Sequence, residues 1–212
     1  MKQSVGINSD DIHKSHDDLF KLGKITIKLA DIKRAPRYPN GENEDDVRHS
    51  YHLALSASEL ATKYYPELDC GLVSQFSLVH DMAEAYAGDT WTLNISEENR
   101  LKKEIAESKA IIKLMHELPS HTAELLARYE KQIEPEARFV RFVDKILPEV
   151  INYLAGNANT YRLDHSIDSK ETMDKLQAQL SKRYKTMFPE FDAIHLIHEK
   201  VIDTFSRHIF KQ

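Results

Sequence analysis

Apolar residues recur every three or four positions along most of the chain, and no segment shows a sustained two-residue alternation. That period marks helices with one buried stripe, and it predicts eight of them, over residues 15–33, 44–65, 71–87, 97–117, 121–133, 136–155, 170–188 and 190–210. Start and stop residues agree with it. Pro66, Gly88, Pro119, Gly156 and Pro189 close segments, Pro135 opens one, and Asn43, Asp69, Ser96, Ser120 and Ser169 stand where helix caps are expected. The longest loops fall at 34–43 and 156–169, and neither has the composition of a linker between domains. With 6 Gly and 7 Pro in 212 residues and no internal repeat, the expected fold is an all-α helical bundle in a single domain.

Composition narrows the function classes. Charged residues make up 30% of the chain and the apolar runs are short, so no membrane span or secretory segment is expected. The single Cys70 has no intramolecular partner, which fits a reducing, cytoplasmic setting. A net charge of -5 argues against a surface for nucleic-acid polymers. An anionic ligand would therefore be a small molecule caught by a few local cations, and nothing in the sequence opposes a homodimer.

The segment LVHDMAEAYAGD, residues 78–89, sets His80 beside Asp81 in an otherwise apolar helix. A carboxylate removed from water there needs a partner or a cation. Glu84 follows one turn later, and Gly88 ends the helix just before Asp89, so four ionisable groups converge on one helix end. A second doublet, His16-Asp17, lies among Asp10, Asp11, Lys14 and Asp18 and reads as a solvated helix start.

Further ligands must come from other helices, because one imidazole and one carboxylate do not hold a divalent ion firmly. His49, at the polar start of the stripe Leu53, Ala57 and Leu60, is one candidate, with a partly buried or capping role as the alternative. Asp144 is another: it interrupts the strongly apolar segment around Phe139, Val140, Val143, Ile146 and Leu147, where a salt bridge to Arg141 or Lys145 is the alternative. His195 and His198 alternate with Ile194 and Ile197 and read as amphipathic decoration. In KRAPRYPNGENEDD, Lys33, Arg34 and Arg37 form either an exposed patch balanced by the acids that follow or a phosphate clamp.

Taken together, His49, His80-Asp81 and Asp144 resemble the H…HD…D signature of the HD-domain metal-dependent phosphohydrolases. HDMAEAYAGD is similar to the longer His-Asp-x-x-Glu-(x)4-Asp pattern of their 5'-deoxynucleotidase subgroup, and the resemblance runs from about Lys33 to Ala155. A C-terminal helical extension over about 170–210 lies outside it. Two positions depart from the pattern. Arg48 replaces the acidic residue that usually precedes the first histidine, and GDTWT carries Trp91 where a proline often follows Gly-Asp.

The resemblance implies an HD-domain bundle in which His49, His80, Asp81 and Asp144 hold one divalent transition metal ion, with mixed nitrogen and oxygen ligation suited to Mn, Co, Fe, Ni or Zn. It implies that Glu84 and Asp89 handle protons and that Arg37 neutralises the substrate phosphate. Arg34 is its rival for that role, and Tyr38 and Trp91 lie near the substrate. The implied reaction removes the 5'-phosphate of a (deoxy)nucleoside monophosphate. A nucleoside triphosphohydrolase on the same fold and a metal-binding module without turnover are the alternatives, whereas a di-iron bundle lacks the Glu-x-x-His pairs it would need.

Overall fold

The structure, a computed structural model, describes residues 8–89, 96–156, 167 and 169–209. Ten helices and one small hairpin make up the described residues: α1 (Ser9–Asp31), β1 (Lys33–Arg37), β2 (Asn43–Asp45), α2 (Asp46–Tyr64), α3 (Cys70–Val79), α4 (Glu84–Ala87), α5 (Glu97–Glu117), α6 (Ser120–Lys131), α7 (Pro135–Asp144), α8 (Leu147–Leu154), α9 (Lys170–Met187) and α10 (Asp192–Ile209). No helix among them is long and apolar enough to cross a membrane. Helix α5 spans the residues expected of it, and side-chain caps form at Asp69, Ser96 and Ser169. The cap of α2 is Asp45 rather than Asn43, and α6 begins after Pro119, without a side-chain cap from Ser120.

Three departures from the periodic reading all bear on function. The loop expected over 34–43 is an antiparallel hairpin, with Lys33 opposite Asp45 and Arg37 opposite Asn43. Pro39, Asn40 and Gly41 turn the chain, Gly41 at φ 87°, and Asn43 Nδ2 donates to the Arg34 carbonyl at 2.7 Å. Strands this short, one of them acidic, give no alternating apolar signal.

The helix expected over 71–87 stops at Val79. Successive i→i+3 bonds, Glu84 N to Asp81 O at 2.9 Å among them, tighten the chain into a turn before α4 begins. The helix expected over 136–155 likewise breaks after Asp144. Pro148 has no N–H to offer the Asp144 carbonyl, so the α7 ladder stops there and α8 restarts with Pro148 in its first turn.

The main core joins Leu53, Ala57 and Ala61 of α2, Val73 and Phe76 of α3, Tyr129 of α6, and Phe139, Val140, Phe142 and Val143 of α7. Tyr184, Phe188, Phe191 and Ile194 belong to the same cluster, so the C-terminal helices complete the core. Phe139, Tyr65 and Phe191 form an aromatic triangle with centroids 5.2 to 5.4 Å apart, and Phe188 stacks on Phe142 at 4.9 Å. A second cluster seats α1 through Ile25 and Leu29 against Leu114, Leu118 and Leu126.

His195 and His198 are core residues rather than surface decoration, at 6% and 2% exposure. His195 Nε2 donates to the Phe188 carbonyl at 2.9 Å, and its ring packs on Phe142. Phe188 and Phe191 at the bend between α9 and α10 turn that face of α10 inward, which one-helix periodicity does not reveal.

Glu149 of α8 is buried, and Gln177 Nε2 donates to it at only 3.3 Å. Burial pushes its carboxyl up from 4.5 to about 7. The folded value lies above the unfolded one, so the penalty is absent at acid pH, grows between about 4.5 and 7, and is constant above that range. Glu149→Gln should stabilise metal-stripped protein at pH 8 by up to about 3 kcal/mol and change little at pH 4.5. Thermal unfolding of both proteins across that range checks it, and an equal gain at both ends would refute the assignment.

Candidate metal centre

Four elements deliver the residues of interest. Asp45 caps α2 by accepting from Arg48 N at 2.9 Å, which fixes the first helical turn and carries His49 into the interior at 0% exposure. His80 and Asp81 occupy the tightened turn after α3, and Asp144 is the last residue of α7. Both carboxylates therefore stand at helix C-termini, where the backbone dipole favours a cation. The hairpin supplies Arg34, whose side chain is 12% exposed.

The ligand atoms form a closed ring. His49 Nε2 lies 2.9 Å from Asp144 Oδ1 and 4.0 Å from Asp81 Oδ2, and His80 Nε2 lies 2.9 Å from Asp81 Oδ2 and 3.9 Å from Asp144 Oδ1. Donors bound at about 2.0–2.2 Å to one ion stand roughly 3 to 4 Å apart, and these four distances fall in or near that range. His49, His80 and Asp144 each offer a ligand atom within 4.8 Å of the others, and Asp46, Asp81 and Glu84 form a second such group. One buried atom tests the fit. His80 Nδ1 donates to the Ser77 carbonyl at 2.8 Å, which leaves a lone pair on the Nε2 of a neutral ring. That Nε2 makes no directed hydrogen bond although it faces the Asp81 carboxylate at 2.9 Å. The pair is satisfied by a proton on Nε2, which holds the Asp81 carboxyl down, or by a cation in its place, and the mixed imidazole and carboxylate set is of a kind that could hold a divalent ion.

The field around the ring is strongly acidic. Burial opposes ionisation of Asp81, yet His80 and Arg34 hold its carboxyl well below the usual range. Asp144 is likewise held down against burial, by Lys145 and by its hydrogen bond with His49. Glu84 goes the other way: burial first, then Asp81 and Asp46, push its carboxyl far above the ordinary value, and its Oε2 has no hydrogen-bond partner. Asp89 is raised mainly by burial. Gly88, at φ 75°, adopts the left-handed backbone that turns the chain out of α4 and toward Asp89.

Arg34 is the cation that answers this field. Burial alone would lower its pKa, but Asp81, Asp144, Asp89 and Glu84 raise it. Its Nη1 reaches Asp81 Oδ2 at 2.7 Å and Asp46 at 3.4 Å. Arg37 lies three residues along the same strand and is half-buried. Tyr38 donates to Glu44 at 3.5 Å and lines a pocket of about 540 Å³ with Val47, Arg48, Tyr51, His52, Ile151 and Leu154. Trp91 lies outside the described residues. The buried Glu44 and Asp46 carry no signal of their own, because in the sequence they belong to an acidic run that reads as solvated.

Residues 27–188, which include every residue of this ring, match the sequence family described as HD domain. The chain belongs to the HD-domain family. The match extends through α9, further than the motif residues reach. Curated HD relatives are the 5'-deoxynucleotidases HDDC2 of Mus musculus and Homo sapiens, 33% and 32% identical over 124 residues. Those alignments cover 55% of this chain and 61% and 59% of the relatives, so the chain spans about three fifths of their length. Among solved structures, one described as a predicted metal-dependent phosphohydrolase from Magnetospirillum magnetotacticum MS-1 superposes with a TM-score of 0.67 at 24% identity. It covers 92% of this chain and 97% of that one, a likeness of fold.

Proposed function

We propose that this HD domain is a metal-dependent phosphohydrolase that releases the 5'-phosphate of (deoxy)nucleoside monophosphates. The observation that carries the reading is the ring of His49, His80, Asp81 and Asp144 atoms with an unpartnered Glu84 and a buried Arg34 at its edge. The 5'-deoxynucleotidase name of the curated relatives supports the substrate class.

A divalent transition ion held by the four residues would polarise a phosphate oxygen and make water acidic enough to attack near neutral pH. The protein's own groups do the rest. Glu84 takes or relays the proton of the attacking water, and Asp89 orients that water or gives a proton to the leaving 5' oxygen. Arg34 neutralises phosphate charge, and Arg37, three residues further along β1, is the rival cation. The pocket beside Tyr38 has the volume of a small-ligand site and offers the Tyr38 and Tyr51 rings to a nucleoside.

The test is phosphate release from a panel of nucleotides, with each of Mn, Co, Fe, Ni and Zn added back to stripped protein. Orthophosphate from dAMP is the expected product. Release of triphosphate from dATP alone would show a triphosphohydrolase instead, and no release from any nucleotide with any metal would refute the reading.

The arginines separate by geometry. From sequence Arg37 has the larger expected role, but the position of Arg34 beside Asp81 favours Arg34 as the main phosphate contact. A charge-assisted contact of about 1.5 to 3 kcal/mol corresponds to roughly a 10- to 150-fold loss of kcat/KM in Arg34→Ala, with metal content kept. Arg37→Ala should lose less, and steady-state kinetics giving the reverse order would return the clamp to Arg37.

A further inference from the structure

Glu44 has no part in the ligand ring and yet is fully buried, at 0% exposure, on β2. A carboxylate so placed costs several kcal/mol of desolvation unless something nearby requires it. Its neighbours show what does. Glu44 Oε2 lies 3.4 Å from His49 Nδ1, the nitrogen on the far side of the imidazole from the ring. The same oxygen is 3.5 Å from Arg34 Nε, a weaker approach than the 2.7 Å that Arg34 makes to Asp81. Tyr38 donates to the other oxygen at 3.5 Å. Of these partners only His49 is itself a member of the ring, its other nitrogen standing 2.9 Å from Asp144 Oδ1.

The two imidazoles are thus backed differently. His80 leans on a neutral group, the Ser77 carbonyl, at 2.8 Å. His49 Nδ1 faces a carboxylate, at 3.4 Å and without a directed hydrogen bond, and both atoms are buried and otherwise without a hydrogen-bond partner. A carboxylate behind a histidine keeps the proton on the rear nitrogen, fixes the ring's orientation and makes the front nitrogen a stronger donor.

We propose that Glu44 is a positioning residue of the metal centre, accepting the Nδ1 proton of His49 so that Nε2 is held as a ligand. This rests on the metal-dependent reading above and assigns a function to the buried glutamate of the hairpin. The hairpin then shapes the centre twice, through Arg34 on one strand and Glu44 on the other.

Metal-stripped protein is titrated with Zn²⁺ or Co²⁺ against a coloured chelator. Glu44→Gln should bind the ion roughly 10- to 100-fold more weakly than the parent. Glu42→Gln, two residues away on an exposed side chain, should bind as the parent does. The unfolding temperature of stripped Glu44→Gln should stay at or above that of stripped parent, since a buried charge is removed. Affinity within twofold of the parent overturns the proposal, and so does weakened binding with a matching loss of stability in the stripped protein, which marks a structural role. Should Glu44→Gln not fold, long-range ¹H–¹⁵N spectra of Zn²⁺-loaded parent decide: the His49 proton on Nδ1 supports the proposal, and on Nε2 it overturns it. A parent that takes up no ion refutes the metal-dependent reading itself, whereas uptake by parent and variant alike refutes only the role of Glu44.

Discussion

Asp144→Ala is expected to lose bound metal and hydrolysis together. Its Oδ1 stands 2.9 Å from His49 Nε2 and 3.9 Å from His80 Nε2, so its removal opens one side of the ring and leaves two imidazoles with a single carboxylate. Asp81→Ala should do the same and also release Arg34 from its 2.7 Å contact. Metal per chain should fall from near one to near zero after desalting, and activity by about 10³-fold or more, since both the polarised phosphate and the acidified water are lost. Full metal occupancy in either variant, by elemental analysis, would break the ligand set. Three other histidines serve as controls. His16 is exposed beside Asp17, and His195 and His198 lie in the α9–α10 core, so alanine at any of them should leave metal content unchanged.

Glu84→Gln should keep the metal and still bind nucleotide while turnover falls by about 10² to 10⁴, the usual cost of a lost acid or base. The glutamine keeps the volume and hydrogen-bonding capacity of the side chain and removes only its ability to take or give a proton. The assignment rests on placement: Glu84 is 7% exposed, begins α4 one short turn after Asp81, and leaves Oε2 unpartnered. Burial and the neighbouring carboxylates hold this carboxyl protonated in the metal-free protein, and a cation bound beside it would favour the ionised form that can take a proton. Unchanged kcat would remove Glu84 from the chemistry, and loss of metal alongside activity would make it a ligand instead. Asp89→Ala should show the same separation of metal from turnover if Asp89 serves the leaving group.

The helical fold was legible because amphipathic stripes repeat over long segments, and Leu53, Ala57, Phe139 and Val143 fall in the core as their spacing requires. That His49, His80 and Asp144 are buried was legible because ionisable groups inside apolar helices need a reason to be there, whereas their grouping with Asp81 came from the family resemblance. The breaks were not. Pro148 announced the end of α7 only weakly, and nothing in VHDMAE marks the turn that separates His80 from α4. The hairpin was hidden for another reason: its strands are short and polar, and the carboxylates of Glu44 and Asp46 are buried by a hairpin and helix start that local composition does not encode. Arg34 and Arg37 look alike in sequence, and strand geometry distinguishes them.

The aromatic triangle of Tyr65, Phe139 and Phe191 also sets an order of events during synthesis. A ribosome delivers every donor atom of the ring by the time Asp144 is made, but the wall behind α7 arrives some 45 residues later, with Phe188, Phe191 and Ile194. At about 5–20 residues per second that delay lasts a few seconds. During it the face of α7 that carries Phe139 and Phe142 still lacks the residues that cover it in the folded protein.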